Sequence, residues 1–137
     1  MKKNVIVSLA DSNYFELLNE LVDSIKSFER SKDTAICILD AGLSEVQKNI
    51  LSEKVDEIKS AEWDIDVPAF KVKGREWLKS QVSRAFLPKY FPNYEKFLWI
   101  DCDAWVSDWN SIELYFKACQ NGKLGITQTF TPGYKIM

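Results

Sequence analysis

Histidine is absent from the 137-residue sequence. Its absence excludes imidazole metal sites, Ser/His and Cys/His nucleophile pairs, and imidazole acid–base catalysis. Any chemistry must therefore rest on carboxylates, a metal ion and bound substrate. Long apolar runs are also missing, so no transmembrane segment is predicted. The short apolar run at residues 5–10, after Lys2 and Lys3, fits a first strand better than a signal peptide.

Cysteine and net charge are both low. The three cysteines (Cys37, Cys102 and Cys119) cannot all pair with one another. Cys37 and Cys102 lie in apolar runs, which favours small core residues in a reducing compartment and predicts a cytoplasmic protein. A formal net charge of −2 gives no indication of nucleic-acid binding. The length favours one domain with a single core.

What the sequence does contain is an apolar stretch closed by two carboxylates, at residues 97–103 (Phe-Leu-Trp-Ile-Asp-Cys-Asp). Side chains two apart on a strand share a face, with Cα atoms about 6.6 Å apart. Asp101 and Asp103 could therefore hold one hard divalent cation, which could in turn bind a diphosphate. The alternative is a strand that ends in turn-forming aspartates, one of which caps a helix.

Apolar runs alternate with helical periodicity along the chain, which predicts an α/β fold with a mostly parallel sheet and helices on both faces. Ligands bind at the carboxyl ends of the strands in such sheets. The predicted strands are 4–10, 34–39, 62–67, 97–103 and 124–129. The predicted helices are 14–28, 45–60, 76–90 and a last one that begins near 108 or 111 and ends at 120.

Further residues have a structural interpretation, and most of them have a functional one as well. Asp11 to Tyr14 could cap a helix, or hydrogen-bond and stack on a nucleoside. Arg84 could be solvated, or contact a phosphate together with Lys79, Ser80 and Ser83. The segment 40–44 is explained by a turn and an N-cap and is assigned no chemistry. Trp105 and Trp109 could line a sugar site, although core packing is favoured.

Taken together, four segments resemble glycosyltransferase family 8 in their order and spacing. They are 7–14 (Val-Ser-Leu-Ala-Asp-Ser-Asn-Tyr), 38–44 (Ile-Leu-Asp-Ala-Gly-Leu-Ser), 83–88 (Ser-Arg-Ala-Phe-Leu-Pro) and 97–103. The resemblance is strongest to the bacterial lipopolysaccharide galactosyl- and glucosyltransferases. It implies a GT-A (Rossmann-like) fold that is truncated, with residues 1–137 forming the nucleotide-sugar-binding, amino-terminal half of the family domain.

The resemblance also implies a UDP-sugar donor, a saccharide or lipopolysaccharide acceptor, and retaining hexosyl transfer without an imidazole base. Asp101 and Asp103 would bind Mn²⁺ (or Mg²⁺) and, through it, the UDP diphosphate. The donor-binding residues implied are Leu9, Asp11, Asn13, Tyr14, Arg84 and Cys102. None of the residues is assigned a catalytic role.

The sequence departs from the family pattern in two respects that affect function. After Gly125 the family usually carries a polar contact to the donor sugar, and residues 126–129 (Ile-Thr-Gln-Thr) offer none that can be assigned. A family metal ligand, a histidine, comes from the carboxyl-terminal half, and this sequence has none. We therefore expect an incomplete catalyst whose exposed apolar surface promotes self-association. Two alternatives stay open. One is a non-catalytic half-domain that binds nucleotide or serves in assembly. The other is a haloacid dehalogenase-like phosphatase, in which Asp101 would be the nucleophile.

Overall fold

Four parallel strands form the centre of the fold in a computed structural model that describes residues 1–126. The sheet order is β3-β2-β1-β4. The strands are β1 (Asn4–Ala10), β2 (Thr34–Asp40), β3 (Glu57–Ser60) and β4 (Lys96–Trp99). Nearly every residue of β1 and β2 is buried, as expected for strands of a parallel sheet that is covered on both faces.

Helices cover both faces of the sheet, which confirms the predicted fold class. The helices are α1 (Phe15–Lys26), α2 (Glu45–Ser52), α3 (Ala69–Val72), α4 (Lys79–Ser83), α5 (Leu87–Tyr90) and α6 (Trp109–Ala118). One core cluster joins the sheet to α1, α2 and α6 through Leu18, Leu51 and Ile112. The other joins the opposite face to α5 and the residue after it through Leu87 and Phe91. No helix within residues 1–126 combines the length and the apolarity needed to cross a membrane.

The order of the strands reverses at β1. From β1 the chain runs outward through α1 to β2 and through α2 to β3, and then returns to place β4 on the other side of β1. In open α/β sheets, such a reversal opens a crevice at the carboxyl ends of the two strands concerned. Here those strands are β1 and β4.

The predicted helix 45–60 is wrong beyond its first eight residues. It ends at Ser52, where the backbone N–H groups of Lys54 and Val55 both donate to the Leu51 carbonyl. Residues 57–60 form β3 instead, with Ile58 paired with Ile38 on β2. Val55 and Ile58 fit a helical period. Residues 57–60 nevertheless form their backbone hydrogen bonds with the open edge of β2. The predicted strand 62–67 is irregular.

The predicted helix 76–90 is broken into a 3-10 turn (Glu76–Leu78), α4 and α5. Its break falls near Phe86, whose φ of −117° is not helical, and α5 has a proline in its first turn. Residues 124–126 are irregular, and the rest of the predicted strand 124–129 lies outside the described residues. The start of the last predicted helix is confirmed, because Asp108 caps α6.

Candidate functional site

A cleft of about 180 Å³ lies at the carboxyl ends of β1 and β4. Residues from both strand ends line it, together with residues of the segment that contains α4. The lining residues are Leu9, Ala10, Asp11, Tyr14, Trp77, Ser80, Gln81, Trp99, Asp101, Cys102 and Asp103. Both aspartates of the 97–103 stretch therefore face the same cleft as Tyr14.

The two aspartates lie on a turn, which corrects the prediction that they extend a strand to residue 103. The strand β4 ends at Trp99, and the Ile100 N–H still donates to the Val7 carbonyl at 3.1 Å. The Ala104 N–H then donates to the Asp101 carbonyl at 3.0 Å, which closes a turn over residues 101–104. Aspartate favours turns over strands because its side chain competes for backbone hydrogen bonds.

Asp101 is held by two side chains. The indole Nε1–H of Trp99 donates to Oδ1 of Asp101 at 2.7 Å. A guanidinium nitrogen of Arg84 lies 3.5 Å from the same oxygen, and Arg84 also stacks 5.2 Å from the Trp99 ring centre. The Asp101 side chain is 60% exposed, so its contact with Arg84 is screened by solvent. Arg84 thus contacts Asp101 but does not itself line the cleft.

Asp103 is exposed and has no hydrogen-bond or ion-pair partner among residues 1–126. Mn²⁺ and Mg²⁺ prefer carboxylate oxygens as ligands. Asp103 and the second oxygen of Asp101, Oδ2, therefore suit such a cation. Within the described part of the chain, no group of three His, Cys, Asp or Glu side chains could hold a metal ion. A cation here would therefore have at most two ligands among side chains of these four types within residues 1–126, Asp101 and Asp103.

The β1 side of the cleft begins with Asp11. One oxygen of its carboxylate accepts the backbone N–H groups of Asn13 and Tyr14, at 2.9 and 3.2 Å, which caps the 3-10 turn Ser12–Tyr14. The structural interpretation of Asp11 is therefore correct, and its second oxygen makes no hydrogen bond within residues 1–126. Tyr14 is 46% exposed and lines the cleft. Asn13 is exposed and lies outside the lining.

Leu9 and Cys102 contribute apolar surface to the cleft. Leu9 is 4% exposed, so it lies at the base of the cleft as part of the core. Burial, together with the negative charges of Asp103 and Asp101, raises the pKa of the Cys102 thiol to about 11. Cys102 is half-buried against the core and remains a neutral thiol at pH 7.

Trp77 and Gln81 also line this cleft, although no sequence pattern indicated them as site residues. Both lie in the segment before α5, which packs on the second face of the sheet. The sequence pattern predicts one continuous helix there, and that prediction does not indicate that these two side chains reach the cleft. Trp99 is partly buried against the core and also lines the cleft. Trp109 is 5% exposed, as expected of a core residue, whereas Trp105 is 66% exposed, so core packing is wrong for it.

Asp40 has only a structural role in the described residues. Its Oδ1 accepts the N–H groups of Gly42 at 2.8 Å and Leu43 at 2.6 Å, and Ser44 begins α2 with a capping box. This turn needs glycine at position 42, where φ is +130°. The interpretation of segment 40–44 as a turn and an N-cap is thus supported.

Two larger depressions, of about 440 and 410 Å³, lie at the opposite edge of the sheet, near the amino ends of the strands. Some of their charged side chains form ion pairs, as in Arg30 with Glu113 and Lys2 with Asp56. Neither depression brings together unpaired carboxylates at strand ends. The smaller cleft is therefore the better candidate for a ligand site.

The family model described as glycosyl transferase family 8 matches residues 5–124. No curated protein sequence matches the chain. A crystal structure of an active-site mutant of LgtC is similar over 81% of this chain and 41% of its own, with a TM-score of 0.59 and 23% identity. The galactosyltransferase LgtC in complex with donor and acceptor sugar analogues is similar over 76% and 39%, with a TM-score of 0.56 and 23% identity. The chain thus spans about two fifths of the length of these structures, and at this identity they show a shared fold.

Proposed function

Because the chain belongs to glycosyl transferase family 8, we propose that it is the donor-binding part of a retaining hexosyltransferase and binds a UDP-sugar through Mn²⁺ or Mg²⁺. One observation carries the proposal. Asp101 and Asp103 line the same cleft as Asp11 and Tyr14, at the carboxyl ends of adjacent strands. This is the edge at which open α/β sheets bind nucleotides.

Each side of the cleft suits a different part of the donor. Asp101 and Asp103 would hold the cation, which would supply Lewis-acid stabilisation to the departing diphosphate. The exposed ring of Tyr14 offers a stacking surface for a base, and the free oxygen of Asp11 can accept a ribose hydroxyl or a base N–H. Arg84 could contact the donor only by leaving or sharing Asp101. Leu9, Asn13 and Cys102 stay predictions as donor contacts.

The acceptor we propose is a saccharide, including the sugar portion of lipopolysaccharide. Three unpaired cysteines suit a reducing compartment, and we place the reaction in the cytoplasm. We further propose that the chain alone transfers hexose poorly, because residues 1–126 supply only two carboxylates to the cation and the sequence contains no histidine.

Two other functions give different experimental results. A non-catalytic half-domain would bind UDP with metal but would neither transfer nor hydrolyse a UDP-sugar. A haloacid dehalogenase-like phosphatase would hydrolyse small phosphate esters with Asp101 as nucleophile. The second is disfavoured by the family match and by the contacts of Asp101, whose Oδ1 is already occupied by Trp99.

Calorimetry with UDP tests the proposed function. We expect binding in the presence of Mn²⁺ and much weaker binding without it. Asp103→Ala should weaken the metal-dependent binding by more than about tenfold, because a direct cation ligand is lost. The matched control is Glu20→Ala, which removes an equal charge from an exposed position on α1 and should bind as the wild type does. Equal UDP affinity with and without Mn²⁺ would overturn the proposal.

Activity assays then separate the alternatives. Hydrolysis or transfer from a UDP-sugar, lost in Asp103→Ala, identifies a catalyst. Metal-dependent binding without turnover identifies the non-catalytic half-domain. Hydrolysis of a small phosphate ester that is lost in Asp101→Asn would instead support the phosphatase.

A further inference from the structure

We propose that Trp99 is a positioning residue that fixes the orientation of Asp101 toward the cation. This inference rests on the proposed function, since it concerns how the proposed cation site is held. The contact that suggests it is the 2.7 Å hydrogen bond from the indole Nε1–H to Oδ1 of Asp101. That distance is at the short end of the range for a donor to an ionised carboxylate.

The indole is itself held in place from several directions. Trp99 is the last residue of β4 and pairs with Val7 of β1, which fixes its backbone. Its ring packs against the core cluster on the second face of the sheet. Arg84 stacks on the ring with its Cζ 5.2 Å from the ring centre, and Nε of Arg84 donates to the Ser80 carbonyl at 3.0 Å. The hydrogen-bond donor is thus presented from a fixed position.

This arrangement makes the two aspartates inequivalent. Oδ1 of Asp101 accepts the hydrogen bond from Trp99, which holds the Asp101 side chain in one orientation. The other oxygen of Asp101 is then available to a cation. Asp103 has no partner among the described residues and must be ordered when a cation binds. Outer contacts that orient a metal ligand in this way typically change metal affinity by about 10- to 100-fold when they are removed.

Mn²⁺ binding in the absence of nucleotide, followed by the electron paramagnetic resonance signal of free Mn²⁺, tests the inference. Trp99→Phe keeps an aromatic ring but removes the N–H, and we expect about tenfold weaker binding. Trp105→Phe is the matched control, because Trp105 is 66% exposed and lies outside the cleft lining, and its affinity should equal that of the wild type. Circular dichroism establishes that both variants are folded.

The outcomes distinguish the two proposals. If the wild type binds Mn²⁺ and Trp99→Phe binds it equally well, the positioning role is overturned and the proposed function stands. If the wild type binds no Mn²⁺ without nucleotide, the same comparison is made with UDP present. Absence of Mn²⁺ binding there as well overturns the proposed function, and the positioning role fails with it.

A second measurement uses the wild-type protein and does not depend on how Trp99→Phe folds. In a ¹H–¹⁵N spectrum, the indole N–H signal of Trp99 should move during a titration with Mg²⁺, because its acceptor becomes a cation ligand. The N–H signal of Trp109, which is buried with α6, should stay in place. An unmoved Trp99 signal, at Mg²⁺ concentrations that shift the backbone signals of residues 101–103, would overturn the inference.

Discussion

At the scale of single residues, Cys37 shows how burial changes the chemistry of a side chain. Cys37 is fully buried on β2, and its thiol lies 3.8 Å from the hydroxyl of Tyr94, which donates to Glu57. Burial raises the pKa of the Cys37 thiol from 9.0 to about 12. Burial raises the pKa of Tyr94 as well, with Cys37 and Glu57 adding to the effect. Both groups therefore stay protonated in the folded protein at pH values where the unfolded chain loses protons.

This difference predicts that the protein loses stability between about pH 9 and pH 12. In that range the folded state binds more protons than the unfolded state, so the free energy of unfolding falls as the pH rises. One such group contributes at most about 1.4 kcal/mol per pH unit. Urea unfolding at several pH values measures how steeply the free energy of unfolding falls with pH. This slope should be shallower in Cys37→Ala. Equal slopes in the wild type and in Cys37→Ala would show that Cys37 does not cause the loss of stability.

At the scale of elements, the irregular segment after β3 is fixed by α5. The Tyr90 hydroxyl accepts the Glu62 N–H at 3.0 Å and donates to Asp64 at 2.7 Å. Lys89 donates to the other oxygen of Asp64 at 2.8 Å, and the Asp64 side chain is only 1% exposed. The contacts with Asp64 and Glu62 raise the pKa of Lys89. Side-chain hydrogen bonds thus replace the strand that the sequence pattern predicts for residues 62–67.

Tyr90→Phe should therefore destabilise the protein by about 1–3 kcal/mol, because it leaves a buried carboxylate oxygen and a backbone N–H without a partner. Urea unfolding measures the change, and hydrogen exchange should show faster opening of residues 62–67. Tyr14→Phe is the control, since the Tyr14 hydroxyl makes no hydrogen bond within residues 1–126 and its removal should leave stability unchanged. Equal stability of the two variants would show that the Tyr90 hydroxyl does not hold this segment.

At the scale of the whole molecule, the described part of the chain carries large apolar side chains on its surface. Phe70 is 81% exposed, Trp105 66%, Leu124 86% and Ile126 78%. The chain also spans only about two fifths of the length of the solved structures that share its fold. Exposed apolar side chains of this size favour association when they lie together.

We predict that this chain self-associates as its concentration rises, and that Phe70→Ser together with Trp105→Ser reduces the association. Sedimentation velocity over a range of concentrations measures it. Val46→Ser is the control, since Val46 is also exposed, at 68%, and lies on α2, which carries neither Phe70 nor Trp105. A monomer at every concentration would contradict the prediction, and an equal effect of Val46→Ser would assign the association to another surface.

Sequence patterns predicted the structure where it depends on residues that are close together in the chain. Local signals include the apolar runs of β1 and β2, the helical period of α1 and the N-cap in segment 40–44. Each lies within a few neighbouring residues, and each was found where it was predicted. The parallel sheet follows from the alternation of these elements, because parallel strands need crossover connections. The motif at residues 101–103 likewise identified the edge of the sheet that carries the cleft.

Tertiary structure decided what depends on distant partners. Residues 57–60 form a strand because β2 has an open edge beside them, although their spacing also fits a helix. Asp101 and Asp103 face the cleft from a turn, and only the folded chain brings Trp99 and Arg84 onto one oxygen of Asp101. Trp77 and Gln81 reach the cleft because the chain returns across the second face of the sheet. The physical reason is that helix caps and apolar periodicity depend on interactions between residues close in sequence. Strand pairing and side-chain contacts across a cleft depend on residues that are far apart in sequence and meet only in the folded chain.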